Sequence, residues 1–235
     1  MTAILDEPRD VRPGEELDTA RLSAYLHENV PGLEGPIEIR QFPSGFSNLT
    51  YLVRAGDRDL ILRRPPAGSK VKSAHDMGRE FRILSALHPV YPSAPHPLAY
   101  CSGSEVIGAP FYVMDRIKGV ILRGKKPAGF HCPPDLARKC CVSFIENFAR
   151  LHAIDYEAIG LADMRKEGSF VRRQVEGWID RYHGSQTDDI PAMEQAAGYM
   201  RANSPADTGS VLIHNDYKFD NLVLNPADPA QITGV

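Results

Sequence analysis

Two spacings of apolar residues divide the chain. In residues 37–64 apolar side chains alternate with polar ones, interrupted by the turn clusters FPSGFSN and GDRD. Alternation bounded by turn residues is typical of half-buried strands, so this region predicts a three-stranded antiparallel meander. Residues 106–107 and the run FYVM at 111–114 predict two further strands, joined by a turn that contains glycine.

Helical spacing governs most of the remaining chain. Asp18 can cap a short helix, and residues 73–88 predict a second one. After Gly119, three segments carry the apolar spacing of amphipathic helices. The residues expected to face a core in the first two of these segments are Cys141, Phe144, Ile145, Phe148, Leu151, Val171, Val175, Trp178 and Tyr182. A mainly β part followed by a mainly α part predicts an α+β fold with two lobes.

The length of 235 residues suits one large domain or two modest ones. We expect residues 1–17 to form a flexible N-terminal arm and residues 18–118 to form the first lobe. Residues 119–235 would form the helical second lobe, so the boundary lies near Lys118–Gly119.

Composition removes several classes of function. The net charge of −3 lacks the basic excess of a nucleic-acid-binding protein, so no nucleic-acid partner is expected. No apolar run approaches the roughly 18 residues of a membrane span, and the polar, acidic N-terminus is unlike a signal peptide. The four cysteines form no C-x-x-C pair, which argues against a zinc site and favours a reducing, cytoplasmic location.

Candidate chemistry is concentrated in residues 214–221, HNDYKFDN, between the apolar runs VLI and LVL. His214, Asp216 and Asn221 form the pattern H-x-D-x-x-x-x-N. Phosphoryl transfer uses an Asp that accepts or orients the proton of an attacking hydroxyl, and an Asn that offers Mg²⁺ a neutral oxygen. Taken alone, the stretch also fits an acidic turn of a β-hairpin.

This stretch resembles the catalytic loop of the aminoglycoside phosphotransferase-like small-molecule kinases, in particular the branch associated with acyl-CoA dehydrogenases. The resemblance implies a bilobal, protein-kinase-like α+β fold that uses ATP and Mg²⁺. It also implies that Asp216 is the catalytic base, that Asn221 is a metal ligand and that Lys218 contacts the transferring phosphate. His214 would hold the backbone of the loop together.

The resemblance implies further parts in a fixed order. The turn FPSGFSN would cover the phosphates, with Ser44, Gly45 and Ser47 as hydrogen-bond donors. Arg63 would grip the phosphates where most kinases have Lys, and Glu80 on the next helix would pair with it. Each of these residues, taken alone, also fits an ordinary turn, an exposed strand end or a solvated helix face.

Other residues have supporting roles in this interpretation. The backbone of Asp115 and Ile117 would hold the edge of the adenine ring. His152 and Asp155 would form structural hydrogen bonds at the end of a helix. Trp178 fits the core better than a ligand contact.

The family has a second metal-binding acid on the strand that follows the catalytic loop. QITGV at 231–235 resembles that strand, so the acid and the helices that complete the second lobe would come after Val235. We therefore expect a second lobe that is truncated before this acid.

The sequence thus favours an ATP- and Mg²⁺-dependent phosphotransferase that acts on a hydroxyl of a small molecule. A hydroxyacyl-CoA or another alcohol is favoured over an aminoglycoside, and a homodimer is left open. The alternative is a truncated, non-catalytic pseudokinase that binds nucleotide or a partner. A metal hydrolase is disfavoured because no second His-rich cluster is present.

Overall fold

The computed structural model describes residues 5–43, 48–66, 76–124, 127 and 129–235. Contacts between residues divide the chain into two compact units. One unit comprises Met1–Ile154 together with Ile213–Val235, and the other comprises Asp155–Leu212. The predicted lobe boundary at Lys118–Gly119 lies inside the first of these units, and it stays a prediction.

A five-stranded antiparallel sheet with the order β1-β2-β3-β5-β4 lies in the first unit. Its strands are β1 (Ile37–Gln41), β2 (Leu49–Ala55), β3 (Arg58–Arg64), β4 (Pro97–Cys101) and β5 (Phe111–Asp115). The meander predicted for residues 37–64 is confirmed, with Tyr51 opposite Leu62 in the register of β2 and β3.

The prediction for the fourth strand is wrong. The strand beside β5 is β4, which lies in the proline-rich segment, whereas Val106 and Ile107 lie in a turn. The carbonyl of Ile107 accepts a hydrogen bond of 3.1 Å from Nη1 of Arg64, and Gly108 adopts a positive φ of 78°. The N–H of Gly108 also donates to the carbonyl of Ser104 at 2.8 Å, so hydrogen bonds other than strand pairing hold this turn.

Two helices cover opposite faces of the sheet. They are α1 (Thr19–Asn29) and α2 (Met77–Leu87). Phe111 contacts Tyr25 of α1, and its neighbour Tyr112 contacts Phe81 of α2. Because successive side chains of a strand point to opposite faces, the two helices lie on opposite sides of β5. Asp18 caps α1, as predicted, by accepting a hydrogen bond from the N–H of Arg21.

The segment before α1 contacts the edge of the sheet. Arg9 pairs with Gln41 through two backbone hydrogen bonds of 2.8 Å. The hydroxyl of Tyr51 donates to the carbonyl of Glu15 at 2.8 Å. Residues 5–17, for which the sequence predicts a flexible arm, are thus tied to β1 and β2.

The three helices predicted after Gly119 are confirmed. They are α3 (Pro134–His152), α4 (Phe170–Ser185) and α5 (Pro191–Ala202), and the short strands β6 (Val223–Leu224) and β7 (Ile232–Gly234) follow. The buried face of α3 differs from the predicted one, because Cys140 and Asn147 are buried while Cys141 and Ile145 are exposed. Asn147 lies on the buried face because its side chain forms buried hydrogen bonds with Ser93 and Tyr91.

The second unit has a small core of its own. Val175 and Ile179 of α4 pack against Ala197 of α5. Trp178 does not join this core, contrary to the prediction: its exposed fraction is 64%, and the guanidinium of Arg181 lies over its ring. Within this unit α5 is the one long helix that packs against α4, and Trp178 is not among the residues that this contact buries.

Among the residues that the structure describes, none of the helices is long and apolar enough to cross a membrane.

Candidate active site

The loop that carries the predicted chemistry lies between an extended segment and β6. The predicted strand at residues 210–214 does not form, and Val211 and Ile213 are exposed. No strand pairs with this segment in the described part of the chain, so only β6 and β7 form a hairpin. A left-handed residue, Asn215 with φ of 66°, turns the chain between His214 and Asp216. Asn is one of the few residue types that adopt this conformation readily.

Asp216 is held in the ionised form by its neighbours in the loop. Its Oδ2 accepts a hydrogen bond of 2.9 Å from Nδ2 of Asn221 and lies 3.1 Å from Nζ of Lys218. Lys218 first, and Asn221 second, lower the pKa of this carboxyl below its ordinary value. The side chain is 61% exposed, so a charged carboxylate faces solvent at the point predicted to accept a proton.

His214 supports the loop as a neutral ring. Burial lowers its pKa and outweighs the opposing effect of the Asp216 charge. Its Nδ1 accepts a hydrogen bond of 3.3 Å from the N–H of Asp216, which fits the predicted role in holding the backbone. The edge of the ring also contacts the ring of Tyr217.

Arg63 and Glu80 meet on the face of the sheet that α2 covers. Nη1 of Arg63 lies 3.4 Å from Oε2 of Glu80. The same carboxylate accepts a hydrogen bond of 3.0 Å from the hydroxyl of Tyr112 and one of 2.9 Å from Nδ2 of Asn48. Glu80 is therefore fixed by β3, by β5 and by the residue that precedes β2. Sequence reasoning missed Asn48 and Tyr112 as partners of Glu80. Tyr112 is brought there by its pairing with Arg63 across the sheet, and Asn48 lies 32 residues from Glu80 in the sequence.

Arg63 keeps its charge and has an unused donor. Burial alone would lower the pKa of its guanidinium, but Tyr112 and Glu80 together raise it above the ordinary value. Its Nε is buried and has no hydrogen-bond partner among the described residues. The side chain of Arg63 is 34% exposed, so its charged guanidinium is accessible to an anionic ligand.

The segment after β5 connects to the hairpin that follows the loop. Val120 and Leu224 exchange backbone hydrogen bonds of 2.9 and 2.8 Å. A Cβ at Gly119 would collide with the carbonyl oxygen of Leu224, so glycine alone permits this approach. The contact fixes the position of β6, and hence of the end of the catalytic loop, relative to the end of β5.

The predicted adenine-binding residues lie at the start of this segment. The N–H of Asp115 donates to the carbonyl of His96 at 2.9 Å, and its carboxylate contacts His96 and Arg58. The side chain of Ile117 lies against Gly234 of β7. The role of both backbones toward adenine stays a prediction. Ser44, Gly45 and Ser47 lie outside the described residues.

The remaining two predicted residues lie near the end of α3. Oδ1 of Asp155 accepts hydrogen bonds from the N–H groups of Glu157 and Ala158 at 3.0 and 3.1 Å, and so closes a turn. His152 packs against the ring of Phe148, and its buried Nε2 has no partner among the described residues. A hydrogen bond from that nitrogen of His152 thus stays a prediction.

The residues of the loop fit part of a magnesium site. Both hydrogen bonds that Asn221 makes to Asp216 use its Nδ2, which leaves Oδ1 of Asn221 free of these contacts. Carboxylate and amide oxygens are the hard ligands that Mg²⁺ takes, usually together with phosphates and water. In the described ranges no group of three or more His, Cys, Asp or Glu side chains could hold a metal by itself.

Comparison with known proteins decides the family. The model of the phosphotransferase enzyme family (APH) matches residues 38–235. The chain belongs to this family. It is 34% identical over 232 residues to acyl-CoA dehydrogenase family member 11 of Rattus norvegicus, covering 95% of this chain and 30% of that protein. It is 35% identical over 201 residues to family member 10 of Mus musculus, covering 86% of this chain and 18% of that protein. The chain therefore spans less than a third of the length of these curated relatives.

Solved structures support the same fold. A provisionally assigned aminoglycoside phosphotransferase from Ralstonia eutropha superposes with a TM-score of 0.78 at 29% identity, covering 94% of this chain and 64% of its own. A type I macrolide 2'-phosphotransferase superposes with a TM-score of 0.61 at 21% identity, covering 96% and 71%. The predicted α+β, protein-kinase-like fold and the predicted family are thereby confirmed.

Proposed function

We propose that this chain carries out ATP- and Mg²⁺-dependent transfer of a phosphoryl group to a hydroxyl of a small molecule. The observation that carries the proposal is the ionised, outward-facing Asp216, held by Lys218 and Asn221 within one short loop. A positioned carboxylate of this kind can accept or orient the proton of an attacking hydroxyl. Membership of the phosphotransferase enzyme family supports the reaction class.

Each residue of the proposed site has a physical task. Lys218 lies 3.1 Å from Asp216 and can turn to the transferring phosphate when substrates bind. Arg63 binds the phosphates of the nucleotide through its partly exposed guanidinium, and Glu80, 3.4 Å from Nη1, fixes the orientation of that group. His214 remains neutral and keeps the backbone of Asp216 in place.

Asn221 would hold the metal through its Oδ1, alongside the phosphates of the nucleotide. When bound, Mg²⁺ neutralises the charge of the phosphates. A related phosphotransferase was solved in a ternary complex with ADP and hygromycin B, and another structure of it contains AMP-PNP. These neighbours support a nucleotide as the phosphoryl donor.

For the acceptor we propose a hydroxyacyl-CoA or a similar alcohol rather than an aminoglycoside. The support comes from the curated relatives, which are named as members of the acyl-CoA dehydrogenase family.

The proposal is tested with Asp216→Asn. Loss of the proton acceptor should lower kcat for phosphoryl transfer by about 10²- to 10⁴-fold while leaving the Kd for ATP within about threefold. Asp220→Asn is the matched control, because Asp220 is an exposed acid of the same loop with no role in the proposed site. Turnover by Asp216→Asn equal to that of Asp220→Asn would refute the role of Asp216.

A second candidate is a module that binds nucleotide without turnover. One observation favours it: the described residues contain no group of three His, Cys, Asp or Glu side chains that could hold a metal. Calorimetric binding of ATP with no phosphoryl transfer to hydroxyacyl-CoA thioesters or simple alcohols would favour this candidate.

A further inference from the structure

Asn147 of α3 is a polar side chain that the fold buries and fully satisfies. Only 4% of the residue is exposed. Its Nδ2 donates to the hydroxyl of Tyr91 at 2.7 Å and to that of Tyr217 at 3.0 Å. Its Oδ1 accepts from the hydroxyl of Ser93 at 3.2 Å. One amide thus joins α3 to the segment after α2 and to the catalytic loop.

The two tyrosines require an amide at this position. Tyr91 donates its own proton to the carbonyl of Asn147, and Tyr217 donates to the carbonyl of Phe144, both at 3.3 Å. Each hydroxyl oxygen must then accept from a donor, and the NH₂ group of Asn147 has the two hydrogens needed. A tyrosine hydroxyl is protonated at neutral pH, so each of the two has one proton to donate. A carboxylate or an apolar side chain would leave these oxygens unsatisfied.

Tyr217 is the residue that follows Asp216. Its ring packs inward, with centroids 4.6 Å from the ring of Phe144 and 4.7 Å from that of Phe148. The side chain of Asp216 instead faces solvent, and Asn215 before it adopts the left-handed conformation. A residue fixed inward in a sharply turned loop restricts the direction in which its neighbour points.

We propose that Asn147 is a positioning residue, which acts through Tyr217 to hold Asp216 in its reactive orientation. The inference rests on the proposed function of Asp216. A second connection strengthens the anchor, because the carbonyl of Ser93 accepts a hydrogen bond of 2.9 Å from the N–H of Val235, which follows β7. Asn147 therefore connects to both ends of the segment that contains the loop and the β6–β7 hairpin.

The test compares Tyr217→Phe with Tyr91→Phe in the full chain. Each variant removes one buried hydroxyl that accepts from Asn147 and keeps the aromatic ring. Tyr217→Phe should lower kcat about 10-fold at an unchanged KM for ATP, because small displacements of a reacting group reduce its effectiveness strongly. It should also speed amide hydrogen exchange in residues 214–222 at least about fivefold. The two variants should lower Tm by similar amounts. Tyr91→Phe, however, should change kcat and the hydrogen exchange of residues 214–222 by less than about twofold.

Two results would overturn the inference. One is an equal loss of kcat in the two variants, which would mean that both act through general stability. The other is loop exchange in Tyr217→Phe that is no faster than in Tyr91→Phe. Undiminished turnover by Asp216→Asn would instead overturn the proposed function, and the exchange comparison would still decide whether Asn147 anchors the loop.

Discussion

At the scale of single residues, the site depends on pairs whose members come from different elements. Arg63 is useful as a phosphate ligand only if it remains charged and correctly directed. Glu80 supplies the opposite charge at 3.4 Å, and Tyr112 and Asn48 prevent Glu80 from turning away. Because these groups are partly removed from water, their interactions are stronger than those of an exposed ion pair.

The first prediction concerns the affinity for ATP. Arg63→Ala should weaken the binding of ATP by about 10- to 100-fold, which corresponds to the loss of one hydrogen bond from a charged group. Isothermal titration calorimetry measures the effect directly. Arg40→Ala is the matched control, because Arg40 is a partly exposed arginine of β1 that pairs with Glu38 at the surface. An unchanged Kd for Arg63→Ala would show that another group holds the phosphates.

At the scale of elements, a cluster of charges fixes the segment after β5. The side chain of Asp59 is 4% exposed and lies 3.2 Å from Nη1 of Arg116, which is 6% exposed. Lys118 and Arg54 contact the same carboxylate at 2.8 and 2.7 Å. Arg116 also donates to the carbonyl of Asp6 at 2.7 Å. The cluster thus joins β3, the segment after β5 and the residues before α1.

The second prediction concerns stability. Asp59→Asn should lower the free energy of unfolding at pH 7 by about 3 kcal/mol, because it leaves the buried Arg116 with only the exposed Glu7, at 3.6 Å, as an opposite charge. Urea denaturation measures the change. Asp57→Asn in the neighbouring turn is exposed and should change stability by less than about 0.5 kcal/mol. Equal stability of the two variants would argue against a role for the cluster.

The effect of Asp59→Asn on the free energy of unfolding should depend on pH. Hydrogen bonding from Arg54, followed by that from Lys118, places the pKa of Asp59 far below its ordinary value. An unfolded aspartate titrates near about 3.9, so the stabilisation is complete above that pH and is lost as the pH falls toward the lower folded pKa. The difference in stability between the wild type and Asp59→Asn should therefore narrow as the pH falls below about 4. A constant difference down to about pH 2.5 would contradict this assignment.

At the scale of the whole molecule, local patterns predicted more of the fold than of the site. The meander at residues 37–64 and the helices after Gly119 were predictable, because the period of burial follows the period of each element. The strand Pro97–Cys101 was missed, because Pro97 and the prolines before it, Pro92 and Pro95, indicate a loop, while the buried residues of the strand alternate.

The parts of the site that were missed depend on contacts between distant residues. The spacing of His214, Asp216 and Asn221 is local, so the catalytic loop could be found from the sequence. Asn147 lies 70 residues before Tyr217, and no pattern within α3 distinguishes a buried amide from an exposed one. Its neighbours suggested a different buried face, in which Cys141 and Ile145 would be covered.

The two units differ greatly in the apolar surface that each one buries. The first unit buries residues from four strands and α1 in one cluster. The cluster of the second unit has Val175, Ile179 and Ala197 as its buried members. A groove of about 520 Å³ between α4 and α5 leaves Phe170, Met193 and Met200 largely exposed. Because burial supplies most of the stabilising free energy, the second unit should open more easily than the sheet.

Native-state hydrogen exchange tests this difference. Amides of α4 and α5 should exchange through openings of lower free energy than amides of β2 and β3. Val175→Ala should lower the protection of α4 and α5 and leave that of the strands within error. Leu60→Ala, which truncates a fully buried side chain of β3, should lower the free energy of global unfolding by about 3 kcal/mol. Val175→Ala could instead lower the protection of β2 and β3 as much as that of α4. That result would contradict the prediction, because it would mean that the two units unfold in one cooperative step.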